Sequence, residues 1–462
     1  MANLVDIGTE ASNSVALTSS ETQQDVEASV DEKLQPQEQV DTASVPASKK
    51  PRLYYIDSLR TWLTLLVVIH HCFWVVIAGW LPFIRPWIVD LPTLILGYMI
   101  LSGDQAYFMG LFFFLAGLVT TPSLKRKGPW IFLKDRIYRL VLPAVLYDLI
   151  FFPLLITFVN ATWIVPNKSV TYSFAEVWGN YIMGLGLTWE NPIEGSTYSY
   201  SPAEVWAIYF KNLGRTMFVM NQMWFTVTLF AFSLVAVVII HSVEAWKTFV
   251  FNQHPIQSIS QKSMLLLLVK LSSILVVLNY LLRIPFPTGY PWYPFVGNLG
   301  FIMQYIVAFT SGILANSYQF LDHVRIAHLR ITLSLGIMFY FMFQTFQTYL
   351  YDILRSSLGF YLHTFLVTLF EQFFAVFWSY SLLGYFKEYR NVKPSQFFSR
   401  LIGSAYATYI AHQWIIIPIA VGLAYTSLYP IIVILILCVV SPPLAWSAGL
   451  LLKAIPGSDK II

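Results

Sequence analysis

Charged side chains are scarce in this chain. Of its 462 residues only 11% are Asp, Glu, Lys or Arg, whereas 57% are hydrophobic, and the mean hydropathy is +0.62. Soluble domains carry about 25% charged residues, so the composition excludes an ordinary soluble protein. It predicts a polytopic membrane protein, and the aromatic share of 17% fits Trp and Tyr belts at the membrane interfaces.

Cysteine is rarer still. The two cysteines, Cys72 and Cys438, lie within apolar runs, so neither a disulfide framework nor a cysteine-based metal site is indicated. The eight histidines form one adjacent pair, His70 and His71, and no series of histidine boxes. Iron desaturases and hydroxylases bind metal through several imidazole and carboxylate groups, so such an enzyme is a weak hypothesis and no metal is expected.

The first fifty residues differ from the rest of the chain. They are rich in Ser, Thr, Gln, Glu and Asp, contain no aromatic residue and show no helical or strand period, which predicts a disordered acidic tail over 1–50. The remainder, 51–462, holds 25 basic and 15 acidic residues, a net charge of +10. Because the tail lacks the basic start and apolar core of a signal peptide, the first membrane helix is expected to act as targeting signal.

Long apolar runs divide residues 51–462 into membrane spans. A helix needs about 20 apolar residues to cross a hydrocarbon core of about 30 Å. The sequence therefore predicts an all-α fold, a polytopic integral membrane bundle of about ten transmembrane helices that forms one domain over 51–462. The predicted spans are 58–80, 105–121, 140–159, 222–241, 264–282, 296–316, 327–348, 357–383, 401–423 and 429–452.

The connecting segments alternate in their content of Lys and Arg, which indicates the orientation. By the positive-inside rule the basic segments and both termini are cytoplasmic. The opposite loops hold few cations, Arg283 among them, and sequons at Asn160 and Asn167 predict glycosylation there. The expected location is the endoplasmic reticulum, the Golgi or the plasma membrane. The basic segments are 49–52, 125–139, 247–262, 325–330, 387–400 and 453–460.

The first span carries polar residues, which are costly in hydrocarbon and tend to mark function. Its sequence is RLYYIDSLRTWLTLLVVIHHCFWVV. Each residue of a helix turns about 100° around its axis, so Arg60 and His71 differ by about 20° and share one face. Asp57 lies about 60° around the axis to one side of Arg60, and His70 lies about 80° to the other side. The rise of about 16 Å from Arg60 to His71 places His71 near the middle of the membrane.

These positions predict different roles for the two histidines. Imidazole titrates near neutrality, which suits a general base, so His71 is the catalytic candidate, with Arg60 and Asp57 on its stripe. His70 is predicted to be a structural hydrogen-bonding residue. In other spans Asp148, Trp224 and His412 are candidate substrate-binding residues, although a role in helix packing is left open for each.

A basic segment, SLKRKGPWIFLKDRIYRLVLP, separates the second and third spans. Its alternation of basic and apolar residues predicts an amphipathic helix on the cytoplasmic surface. One interpretation is that this helix contacts lipid headgroups and fixes the topology. The other is that Arg136 and Arg139 hold a phosphorylated ligand, because the guanidinium fork pairs bidentately with phosphate.

Several stretches over residues 52–452 resemble the acyltransferase-3 family, the membrane O-acyltransferases that modify bacterial surface glycans, periplasmic glucans, eukaryotic lipids and natural products. IDSLRTWLTLLVVIHH is similar to the family's pattern of Arg, ten residues and His, which falls on Arg60 and His71. Where many members have Ser-Gly-Phe, this chain has Ala116, Gly117 and Leu118. Five further stretches support the resemblance: FFFLAG, RIYRLVLP, MWFTVTLF, QYIVAFTSGILA and SAYATYIAHQ. The FFFLAG and RLVLP forms look closest to the glucan-modifying branch and its fungal relatives.

The resemblance implies transfer of an acyl group from a cytosolic thioester, usually acetyl-CoA, to a hydroxyl. The acceptor would be a glycan, a lipid or a secondary metabolite. His71 would serve as the base, and Arg60 or the Trp224 indole would stabilise the developing negative charge. Arg60 could instead orient the base or bind a CoA phosphate, and Asp57 would hold Arg60 in place.

The resemblance also implies the partners of this chain. Arg136 and Arg139 are the expected ligands of the coenzyme A phosphates. Membrane lipids, the acyl-CoA donor and the hydroxyl acceptor are the other expected partners. No nucleic acid is expected, and a homo-oligomer is left open.

The main alternative is a transporter or flippase of a glycan or metabolite without acyl-transfer chemistry. A bundle lined with His, Arg and Asp is also what a proton-coupled carrier needs. No repeat is obvious between the two halves of the sequence, and the family motifs favour an enzyme. A purely structural role is the weakest hypothesis, given the density of polar residues within the spans.

Overall fold

The computed structural model describes residues 53–77, 89–152, 154–155, 157–158, 222–252, 254–287, 298–350 and 359–461. The predicted tail over 1–50 and the sequons at Asn160 and Asn167 lie outside these residues. Within them all regular structure is helical, which confirms the predicted all-α membrane bundle.

Eleven α-helices are numbered here in chain order over the described residues. Short π-helical turns follow α2, α3 and α8, and short 3-10 turns precede α7 and α8 and follow α11. The helices are α1 Tyr54–Ile77, α2 Leu91–Arg136, α3 Leu142–Leu146, α4 Trp224–Ser242, α5 Glu244–Phe251, α6 Gln261–Arg283, α7 Ile302–Ser317, α8 Ile326–Gln344, α9 Gly359–Tyr389, α10 Gln396–Ala424 and α11 Pro430–Ala454.

One helical segment, Leu91–Phe151, holds two of the predicted spans. It contains 61 residues, and at about 1.5 Å per residue it would be about 90 Å long if straight, three times a hydrocarbon core. It bends where Gly128 adopts a left-handed backbone (φ 74°) before Pro129. The described residues therefore show nine segments able to span a membrane, and this one accounts for the predicted spans 105–121 and 140–159 together.

Helices α2 and α7 pack backbone against backbone through two glycines. A methyl group at Gly117 would lie 2.1 Å from the carbonyl oxygen of Phe309, and one at Gly312 would lie 2.1 Å from that of Phe114. Small residues permit such close approach between membrane helices, where van der Waals packing replaces the hydrophobic effect. Gly117 in the FFFLAG stretch is therefore a packing residue.

Helices α1 and α10 pack against each other and share α11 as a neighbour. α1 packs against α2, α10 and α11. A methyl group at Gly449 of α11 would lie 2.5 Å from Thr408 Oγ1 of α10, and the Trp446 indole donates to the Leu401 carbonyl at 3.2 Å. α11 thus packs closely against α10, which also contacts α1 directly.

A buried ion pair joins α6 to α9. The sequence analysis predicted Arg283 to lie in a loop. It is instead the last residue of α6 and only 1% exposed. Its Nη1 lies 2.5 Å from Glu371 Oε2 and donates to Thr368 Oγ1 at 3.0 Å, while its Nε donates to the Gly300 carbonyl at 3.1 Å. Gln372 also donates to Glu371 at 3.0 Å. These partners offset the large cost of burying two charges.

The glycine contact between α2 and α7 can be tested by adding one methyl group. Gly→Ala in a helix normally stabilises a protein by about 0.4–1 kcal/mol. Gly117→Ala should instead destabilise it by about 1–3 kcal/mol, because the methyl group would overlap the Phe309 carbonyl. Thermal unfolding of the purified protein in detergent measures the difference. The control is Gly422→Ala in α10, which has open space around it, and equal stability of the two variants would contradict the contact.

Candidate active site

The imidazoles of His71 on α1 and His412 on α10 lie side by side. Their ring centroids are 4.7 Å apart and the rings are tilted by 57°. His71 Nδ1 lies 2.8 Å from the Val67 carbonyl oxygen, one turn earlier in the helix. Since a carbonyl only accepts hydrogen bonds, Nδ1 carries the proton of neutral His71 and Nε2 carries the lone pair that a general base requires.

His412 is fully buried within a small polar network. Its Nδ1 lies 2.6 Å from the Tyr409 carbonyl oxygen and 2.8 Å from Gln222 Nε2. The Gln222 amide also donates to the Tyr409 carbonyl at 2.5 Å, and the Tyr409 hydroxyl donates to the Gln222 backbone carbonyl. The reciprocal pairing of Gln222 with Tyr409 ties α10 to the chain just before α4, and the Nδ1–H of His412 donates to the same Tyr409 carbonyl.

Two further side chains extend the polar face of α10. The Tyr406 hydroxyl donates to the Arg139 carbonyl at 2.5 Å, and Gln413 Oε1 accepts from the Tyr147 hydroxyl at 2.5 Å. Tyr406 and Gln413 are seven residues apart and share one side of α10, which contacts the long segment that follows α2, whereas His412 lies about 100° away, beside His71 of α1. α10 therefore connects the histidine pair to the basic segment.

His70 faces a different neighbour. Its Nδ1 lies 3.5 Å from Asp104 Oδ2 of α2, and its ring packs against Trp74 and Phe108 at centroid distances of 5.8 and 5.1 Å. His70 and Asp104 are both buried. This placement fits the structural role predicted for His70, which stays a prediction.

Arg60 lies among other charged groups at the opposite end of α1 from His71. Its Nη2 donates to the Leu115 carbonyl of α2 at 3.1 Å, and its guanidinium is attracted by Asp57. Arg136 is within electrostatic reach of both Arg60 and Arg139. Three sequence-predicted arginines therefore gather in one region.

The surroundings of this arginine group favour an anionic ligand. Arg136 is half-buried, with its guanidinium 4.9 Å from the centroid of the Phe132 ring, and the Arg139 side chain is exposed. Asp135 is within electrostatic reach of both arginines, but it is hydrogen-bonded to Lys127. The excess of positive charge and the forked donors suit phosphate oxygens.

The structure separates the two remaining candidates. Asp148 is buried and lies within electrostatic reach of Tyr409, so it borders the network around His412. Trp224 is the first residue of α4, and its ring packs 5.6 Å from that of Tyr305 on α7. Trp224 is thus part of the aromatic packing between α4 and α7, and the roles proposed for both residues stay predictions.

The sequence analysis overlooked Tyr406 and Tyr409, which hold α10 in place. Both lie in the stretch SAYATYIAHQ, at spacings of three and six residues before His412. At about 100° per residue, Tyr409 lies about 60° and Tyr406 about 120° around the helix from His412, so the helical period indicates Tyr409 as a neighbour of His412 but not Tyr406. The partners of these tyrosines lie far away in the chain, and no sequence signal indicates them.

A family comparison covers most of the chain. Residues 53–450 match a family model described as an acyltransferase domain, of the acyltransferase-3 type. The match includes α1 with Arg60 and His71, and α10 with His412. No curated protein and no solved structure matches the chain significantly, so the expected likeness to the glucan-modifying branch stays a prediction. The protein belongs to the acyltransferase-3 family and is a membrane acyltransferase.

Proposed function

We propose that the protein is an O-acetyltransferase that moves the acetyl group of cytosolic acetyl-CoA to a hydroxyl of a glycan, a lipid or a secondary metabolite. The observation that carries this proposal is the placement of His71. It lies within a membrane-spanning helix, its Nδ1 is bonded to the Val67 carbonyl, and its ring lies beside His412. A base held in this way is what the attack of a weakly acidic hydroxyl on a thioester requires.

His71 acts on the proton of the acceptor. Its Nε2 removes that proton as the hydroxyl oxygen bonds to the thioester carbonyl carbon, which gives a tetrahedral oxyanion. Collapse of this intermediate re-forms the carbonyl and breaks the carbon–sulfur bond. The departing thiolate of CoA takes the proton back from the imidazolium, so the enzyme ends the cycle unchanged. The hydrogen bond from Nδ1 to Val67 keeps the ring aligned and stabilises its cationic form.

His412 is proposed to position the acceptor. Among the described residues it is the nearest imidazole to His71, and its hydrogen bond to the Tyr409 carbonyl restrains its ring. A group fixed beside the base can hold the hydroxyl in a reactive orientation, which lowers the entropic part of the barrier. Asp148, beside Tyr409, is proposed to line the same space.

The arginine group is proposed to bind the coenzyme A phosphates. Along α1, Arg60 lies about 16 Å from His71, too far to contact the same carbonyl oxygen. The pantetheine arm of CoA separates its thiol from its diphosphate, so a donor lying along α1 would bring its thioester to His71 and its phosphates to Arg60, Arg136 and Arg139. Asp57 would then hold Arg60 in this position.

Replacing His71 tests the base. His71→Gln should lower the rate of acetyl transfer by about 100-fold to 10,000-fold, because the amide cannot accept the acceptor's proton. Binding of acetyl-CoA, measured by isothermal titration in detergent, should change little. The rate is followed as release of free CoA thiol in the presence of membrane extracts that contain acceptors.

The matched control is His70→Gln, which changes the adjacent imidazole in the same way and keeps a donor for Asp104. This variant should retain most of its activity. Equal loss in the two folded proteins would reject His71 as the base. If wild-type protein neither transfers nor hydrolyses the acetyl group of acetyl-CoA, the O-acetyltransferase proposal is wrong.

Donor binding is tested at the basic segment. Arg136→Gln and Arg139→Gln should each raise the KM for acetyl-CoA about tenfold to a hundredfold, because a charge-assisted hydrogen bond contributes about 1.5–3 kcal/mol. The kcat should change little if the contact exists equally in the ground and transition states. Lys393→Gln removes an exposed cation elsewhere and serves as control. An unchanged KM in both arginine variants would contradict phosphate binding and favour the other interpretation, that the segment contacts lipid headgroups and fixes the topology.

The proposed orientation places both termini in the cytosol and the Asn160–Asn167 loop on the opposite side, in an endomembrane or the plasma membrane. This orientation is tested in a variant that lacks the native cysteines, Cys72→Ser and Cys438→Ser. Into it, single cysteines are introduced as Asn167→Cys or as Lys393→Cys, six residues beyond Lys387. A membrane-impermeant maleimide added to intact cells or sealed microsomes should distinguish the two positions. Labelling of both from the same side would contradict the proposed topology.

A further inference from the structure

An apolar cavity of about 450 Å³ lies between α2, α6, α7 and α9. Along α7 its wall runs from Gln304 to Tyr318, the residue just after the helix, which corresponds to a length of about 20 Å, and on α6 it runs from Leu267 to Leu275. The cavity is thus elongated along the helices and spans more than half of a hydrocarbon core of about 30 Å.

The wall of this cavity suits hydrocarbon. Leucine, alanine, valine and aromatic side chains supply most of it, with a few hydroxyl and amide groups such as those of Ser311 and Gln304. A sugar or nucleotide would lose most of its hydrogen bonds to water there, at a large cost in free energy. Water would itself find few polar partners along such a wall. An aliphatic chain would instead gain the dispersion contacts that an empty cavity lacks.

The cavity opens toward the membrane. Leu267 lines it and is 43% exposed on α6, where its neighbour Leu266 is 52% exposed. Because this face of α6 lies within a span, a lipid chain can enter sideways. At one end of the cavity the ring of Tyr318 lies 6.3 Å from that of His254, which is exposed and supplies a polar rim.

The cavity is separate from the histidine pair. Its described lining comes from α2, α6, α7, α9 and the residues just before α6 and just after α7, and α1 and α10 contribute none of it. A donor that reacts at His71 must hold its thioester carbonyl beside α1 and α10. The acyl chain of the donor is therefore not the occupant that the geometry favours.

We propose that this cavity binds one acyl chain of a membrane phospholipid, whose headgroup lies at the rim formed by Tyr318 and His254. The chain fills the space between α6 and the α2–α7 pair. The bound lipid is a structural ligand of the bundle, and the proposal does not depend on the identity of the acyl acceptor or donor.

Photo-crosslinking tests this site directly. The full-length protein is reconstituted in phosphatidylcholine vesicles that contain a small fraction of phosphatidylcholine with a diazirine near the end of one acyl chain. After irradiation, crosslinked peptides are mapped by mass spectrometry. In the wild type the label should appear on cavity residues such as Leu271, Leu275 and Ala308.

A matched pair of substitutions on α7 separates the cavity from bulk lipid. Ala308→Phe fills the cavity and should reduce labelling of Leu271 and Leu275 at least fivefold. Thr310→Phe adds the same ring at an exposed position of the helix outside the described lining and should leave it unchanged. Ser311→Leu, a smaller change within the cavity, should reduce the labelling and serves if Ala308→Phe fails to fold.

Three outcomes would overturn the proposal. One is equal cavity labelling in the cavity-filling and exposed variants. The second is labelling confined to outward-facing residues such as Leu281, which is 58% exposed. The third is cavity labelling by a diazirine-bearing long-chain acyl-CoA that phosphatidylcholine does not compete away, because that result would assign the cavity to the acyl donor.

Discussion

The need to pair polar groups within hydrocarbon determines the arrangement of this molecule. Water is absent from the bilayer core, so a buried hydroxyl, amide or imidazole is stabilised when it finds a partner within the protein. α10 shows the consequence most clearly. Its Tyr406, Tyr409 and Gln413 bond to Arg139, Gln222 and Tyr147, which come from distant parts of the chain. These bonds hold His412 beside His71 and keep the basic segment at the same side of the bundle.

The buried ion pair between α6 and α9 is a second group of polar side chains that pair within the bundle. Arg283 pairs with Glu371 and also donates to Thr368 and to the Gly300 carbonyl, so the contacts of its guanidinium are all with other parts of the bundle. This cluster joins helices, whereas the bond from His71 Nδ1 to the Val67 carbonyl sets which ring nitrogen carries the proton. The apolar cavity near α6 is the complementary case, because a wall of hydrocarbon favours a ligand of hydrocarbon.

The family motifs acquire separate physical meanings in this structure. The spacing between Arg60 and His71 aligns the two groups on one face of α1 while keeping them three turns apart, which suits the two ends of a long donor. In the stretch where many members have Ser-Gly-Phe, this chain keeps only the glycine. Gly117 is also the residue whose side chain would overlap the α7 backbone. The shared glycine is thus explained by helix packing.

The sequence alone determined the class of fold, the position of nearly every span and the common face of Arg60 and His71, because hydrophobic runs and helical period are local properties. It also indicated that Arg136, Arg139 and His412 are candidates. Only the tertiary structure decided which residues lie near one another. It places His412 beside His71, and Arg136 within electrostatic reach of Arg60. It also packs Trp224 on Tyr305, and pairs Arg283, which was predicted in a loop, with Glu371. Such pairings join residues up to about 340 positions apart. They arise from the packing of whole helices, through close contacts such as Gly117 on Phe309, and a periodicity confined to one helix cannot specify its neighbour.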